Sequence, residues 1–145
     1  MAAEQPDHRD AEIVLKLYEL RRETVMRDSR NRIAREFNPK TFEDVLAVVG
    51  DFQHPLNAAY RQTASYWEMV FGMAAKGIVH AEYLVENSGE GMLLFAKVQP
   101  FLERYREELS PRAFRYAEWA ATHTEIGRTY LEFMQARLKA LAEKS

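Results

Sequence analysis

Apolar side chains return every three to four positions along most of this chain, the repeat of a helix face, and glycine and proline fall between these patterns as punctuation. Between Asp10 and Phe37, Ile13, Leu17, Leu20 and Thr24 form one stripe and Val14, Tyr18 and Val25 a second. Ala11, Leu15 and Met26 widen the arc until more than half of this first predicted helix avoids water. In its second half Arg27, Arg30, Arg32 and Arg35 interleave with Asp28 and Glu36, so that i,i+4 pairs such as Arg32/Glu36 each add about 0.2–0.5 kcal/mol along a solvated face. Asn38 and Pro39 end the pattern.

Thr41 has the character of an N-cap, with Glu43 and Asp44 in the first turn and Gly50 past the end, which predicts a short helix over Phe42 to Val49. A loop from Asp51 to Leu56 follows, in which Phe52 is expected to turn back into the core. Asn57 to Lys76 is a third helix stopped by Gly77. One broad face carries Tyr60, Trp67, Val70 and Phe71, and a narrow polar face carries Arg61, Ser65, Glu68 and Gly72. After a short element over Ala81 to Asn87, a helix from about Met92 to Leu109 is expected to kink at Pro100. Ser110-Pro111 reads as a restart, and the final helix runs to about Glu143. Tyr116, Trp119, His123, Ile126, Tyr130, Phe133 and Arg137 recur along it as a heptad seam, suited to packing lengthwise against another helix.

The fold class predicted is all-α: a small bundle of five to six helices with the first, third and last long, over residues 11–145, preceded by a flexible tail over residues 1–10. Trp67, Phe71, Trp119 and Tyr130 are expected to be deeply packed. A chain of 145 residues can bury one real core, and its net charge of -2 gives no general pull toward nucleic acid or anionic lipid. The absence of cysteine excludes disulfides and thiolate chemistry and suits a cytoplasmic setting. The first ten residues lack the apolar segment of a secretory signal, and no apolar run approaches the about 20 residues needed to cross a bilayer, so no membrane insertion is expected.

Candidate chemistry is sparse. A dinuclear metal site in a helical bundle needs Glu-x-x-His twice, a motif this sequence lacks, while His80/Glu82 and His123/Glu125 are two apart and point to nearly opposite faces. No metal, cofactor or catalytic residue is therefore assigned. His123, within the aromatic seam, is either a hydrogen-bonded core or interface histidine or a ligand-binding or pH-sensing group. Arg61 and Glu68, seven apart on the polar face, line a polar ligand site with it, or lie in solvent, or share a face on which Gly72 lets another helix come close. Gly89-Glu90-Gly91 lacks the third glycine of a phosphate loop and has no strand before it. Arg27, Arg30 and Arg35 are the one nucleic-acid feature, and the acids between them make that partner an unfavoured one.

Tyr66-Trp67-Glu68, followed by Gly77, the Gly89-Glu90-Gly91 turn and Pro100-Phe101-Leu102 before Arg104, resembles a bacterial helical family catalogued as a domain of unknown function. The likeness covers the first helix to about Leu109. It implies a helical fold and a bacterial origin and carries over no functional residues; some members look membrane-anchored, and this chain is expected to depart from them in having no anchor.

Two functional readings stand at this point. The first is a non-enzymatic protein acting by helix-mediated association, as a homodimer, with Leu17, Tyr116, Trp119, His123, Ile126, Tyr130 and Phe133 as interface or core seam. The second is a small-ligand-binding protein or enzyme with a polar pocket between helices near Arg61, Glu68 and His123.

Overall fold

The computed structural model describes residues 5–144. In chain order the helices are α1 (His8–Arg22), α2 (Thr24–Glu36), α3 (Phe42–Val49), α4 (Asn57–Ala75), α5 (Ala81–Glu86), α6 (Gly91–Val98), a 3-10 turn η1 (Gln99–Phe101), α7 (Leu102–Glu108), α8 (Arg115–His123) and α9 (Glu125–Lys144). The all-helical expectation holds and no strand occurs among the described residues, but the helices are more numerous and shorter than the five to six expected. None of them is long and apolar enough to cross a membrane among the described residues.

Helix α4 lies at the centre, with α2 against one side and α8 against the other, while α9 closes over α6 and α8. Its Trp67, Val70 and Phe71 are buried as expected, and the Trp67 and Phe71 rings stack at 5.9 Å between centroids. Helix α3 has the predicted bounds, and Thr41 and Asp44 form a reciprocal capping box at its start. Gly77 takes the left-handed conformation (φ 72°) that ends α4. The kink at Pro100 appears as η1.

Several sequence expectations are corrected, three of them at helix breaks. The first helix is two: Glu23 leaves helical geometry (φ -56°, ψ 143°), and its carboxylate accepts the N–H groups of Val25 and Met26. Arg30 stabilises this corner, donating to the freed Arg21 carbonyl at 2.9 Å while it pairs with Glu90 at 2.7 Å. The restart after Ser110 is delayed to Arg115. Phe114 is buried against Phe95 and Tyr105, and Arg106 donates to the Ala113 carbonyl, which together hold Phe114 in a left-handed conformation at φ 57°.

The third correction concerns the final helix, which breaks at Thr124 (φ -119°, ψ 143°) into an α8–α9 hairpin. The Thr124 hydroxyl donates to the Ala120 carbonyl and accepts the Gly127 N–H, closing α8 and opening α9 with one group. Gly127 lies directly on the end of α8, where no side chain fits. At the other end of the chain α1 begins at His8, capped by Asp7, within the stretch read as tail; residues 1–4 of that tail lie outside the described residues. Phe52, expected in the core, is 74% exposed.

Candidate functional site

Glu68 stands half-buried on α4, and both of its carboxylate oxygens are engaged by α8: Oε2 accepts the Tyr116 N–H at 3.1 Å and Oε1 the Ala117 N–H at 2.9 Å. Phe114, in the cap position, has no side chain able to do this, so the carboxylate of another helix satisfies the first turn and faces the positive end of its dipole. Burial raises the Glu68 pKa above the usual glutamate value, against the opposing pull of these two N–H groups. Gly72, one turn on, brings the Tyr116 ring against α4, since a Cβ there would stand 3.1 Å from its Cδ2.

Arg61 is exposed; its Nε donates to Asn57 Oδ1 at 2.8 Å and its guanidinium lies over the Phe52 ring at 5.2 Å. His123 is also exposed, at the last position of α8, with its ring stacked on Trp119 at 5.0 Å between centroids and Nδ1 2.9 Å from the Thr122 hydroxyl. Glu68 serves the first turn of α8 and His123 closes its last, about 10 Å apart along the axis. Arg61, Glu68 and His123 are therefore not brought together around one pocket.

The seam is divided in the same way. Leu17 is buried, its carbonyl accepting the Tyr66 hydroxyl at 2.6 Å. Tyr116 and Trp119 on α8, and Ile126 and Tyr130 on α9, are half-buried, and Phe133 is 60% exposed. The chain reversal at Thr124 prevents these residues from forming one continuous stripe, and Trp119 and Tyr130 are less enclosed than expected. Of the arginines weighed for nucleic acid, Arg30 is turned inward on Glu90, which leaves no shared basic face with Arg27 and Arg35.

Three features escaped the sequence reading. Glu82 of α5 does for α9 what Glu68 does for α8, accepting the N–H groups of Glu125 and Ile126 at 2.9 and 3.2 Å. Lys97 of α6 is buried, and its Nζ donates to the carbonyls of Ile33, Ala34 and Phe37 and to Asn38 Oδ1 at 2.8–3.2 Å, closing the C-terminus of α2. Burial lowers its pKa below the ordinary lysine value to about 8. The available signal was a lone lysine in an otherwise apolar helix, Gly91–Val98. The third is a groove of about 630 Å³ between the C-terminal half of α9 and the surface formed by α2, α6 and η1. Its floor is apolar, with Pro100, Phe101 and Leu138, and Arg35, Lys40 and Lys139 bring positive charge to it.

No curated protein and no solved structure matches this chain significantly. A family profile does match, over residues 6–124, from the start of α1 to the reversal between α8 and α9 and some way past the Leu109 limit of the sequence resemblance. The chain thus belongs to the DUF4760 family, a domain of unknown function.

Proposed function

We propose that this protein is a non-enzymatic association domain of the cytoplasm that pairs with a second copy of itself through the outer face of α1 and the adjoining start of α2. The observation that carries the reading is the apolar surface left there. Leu15, Tyr18 and Val25 are 63%, 48% and 54% exposed, and Met69 of α4, 42% exposed, shares a shallow depression with Val25. Val14 and Leu17 alone of α1 are buried, so the wide arc of its sequence is only half used within one chain.

Charge on this face suits a self-complementary contact. Glu12, Lys16, Glu19 and Arg22 are exposed along α1 with alternating sign, and an antiparallel twofold pairing sets the acids of one copy against the bases of the other. The small net charge of -2 adds little repulsion between copies.

Light scattering across low to high micromolar concentration tests this reading. The wild type is expected to approach twice its 16.9 kDa chain mass, and Leu15→Glu with Val25→Glu to remain monomeric while its circular dichroism is unchanged. A wild-type chain that is strictly monomeric throughout, or a double variant that still dimerises, overturns it.

A further inference from the structure

We infer that the groove between α9 and the α2–α6 surface binds a free single-chain amphipathic anion of the long-chain fatty acid class, at a site separate from the association face. Its volume of about 630 Å³ falls within the about 300–1,000 Å³ of small-molecule sites. The lining divides into the two chemistries such a ligand carries. Pro100 and Phe101 on η1 and Leu138 on α9 offer apolar surface to a hydrocarbon chain. Arg35, Lys40 and Lys139 supply cationic groups, and among the described residues no aspartate or glutamate lines the groove, although acids slightly outnumber bases in the chain. That local reversal of sign favours a carboxylate headgroup over a neutral or cationic one.

Lys97 also lines the groove, but its ammonium is committed to the end of α2, so among the described residues the groove cations available to a ligand are the three exposed ones. A side-chain hydrogen bond from Gln135 to Gln99 joins α9 to η1 and sets the spacing of the walls. The α9 wall lies beyond residue 124, where the family match ends, so the site joins the family's helices to the segment that follows them. The apolar lining and the small number of cations argue against a polyanion such as nucleic acid, which needs cations spaced along an extended backbone.

The test is calorimetric titration of the full chain with oleate below its micelle concentration, with oleyl alcohol as the uncharged comparison and phosphatidylcholine–phosphatidylglycerol vesicles as the membrane arm. One oleate per chain is expected, with weaker binding of the alcohol and no retention on vesicles. Arg35→Glu with Lys139→Glu, both exposed positions, is expected to weaken oleate about tenfold or more and the alcohol far less. Leu138→Asp weakens both ligands, and circular dichroism confirms that each variant is folded. Absence of oleate binding, unsaturable uptake of many molecules per chain, indifference to the charge reversals, or binding to vesicles in place of free oleate would each overturn the assignment.

Discussion

Replacing Gly127 with alanine separates two accounts of the end of this chain by sign. In a continuous final helix Gly127 is an interior residue, and alanine would stabilise it by up to about 1 kcal/mol through helix propensity. In the hairpin, a Cβ at this position would stand 2.5 Å from Thr124 Oγ1 and 2.8 Å from the Ala120 carbonyl carbon, with the carbonyl oxygen nearer still. Carbon atoms in good contact sit roughly 3.5–4.0 Å apart, so α9 must retreat from α8 by about 1 Å.

Two of the atoms in the way are backbone, and the third is the hydroxyl that caps α9, so neither side yields cheaply. Overpacking of this kind costs about 1–3 kcal/mol and disturbance of the Thr124 cap about 1 kcal/mol. Set against the propensity gain of at most about 1 kcal/mol, a net loss of about 1–3 kcal/mol is expected. Urea unfolding followed by far-ultraviolet circular dichroism measures it directly, and the accompanying fall in Tm is several degrees, at about 3 °C per kcal/mol for a chain of this size. A variant as stable as wild type, or more stable, would refute the hairpin and restore a helix running through Thr124.

Glu68→Ala and Glu82→Ala are each expected to lose about 1–2 kcal/mol in the same assay, from the uncapped starts of α8 and α9. The raised pKa of Glu68 gives its contribution a pH signature. The folded chain binds that proton more tightly than the unfolded one, so the wild type gains on a Glu68→Gln variant as pH falls through the folded pKa toward the ordinary glutamate range. Lys97 behaves in the reverse sense to a paired surface lysine. With its pKa lowered to about 8, the unfolded chain holds the proton more tightly, so wild-type stability relative to Lys97→Met is flat below about pH 8. It then rises by about 3 kcal/mol as pH approaches the ordinary lysine value. A relative stability that falls across that interval would show that the four oxygens around Nζ outweigh its burial.

The elements that could be read from sequence were those whose start and stop lie within a few residues of each other. Helix α3 carries its own Thr41–Asp44 box and Gly50, and α4 ends at a glycine that can turn left-handed, so periodicity and punctuation placed both. The breaks that were missed carry weaker local marks, the Glu23 carboxylate on Val25 and Met26 and the Thr124 hydroxyl on Gly127, at residues that also fit a continuing helix. Glu23 and Thr124 interrupt periodic patterns that contain neither glycine nor proline at the break itself, and each break is reinforced by groups far away in sequence. Arg30 reaches from α2 to Glu90 at the first, and Glu82 reaches from α5 to the start of α9 at the second. A helix period measures which face is apolar; it carries no information on whether the axis continues once a distant carboxylate offers to satisfy a new N-terminus.

The same logic explains why the most inviting candidate residue did not nucleate a site. A glutamate beside a glycine on the polar strip of a central helix looks like a group held inward for a ligand, and Glu68 is indeed held inward. Its partner is backbone: two N–H groups at the start of α8 take both oxygens, and Gly72 makes room for the helix that brings them. Glu82 repeats the arrangement at α9, and Lys97 mirrors it with opposite sign at the end of α2. A chain divided into so many short helices exposes many unsatisfied helix ends, and those ends near the core recruit the charged side chains nearest to them. Surface open to other molecules is left on the outer face of α1 and, once Lys97 has satisfied the end of α2, in the groove beneath α9, where the cations Arg35, Lys40 and Lys139 are exposed beside apolar surface.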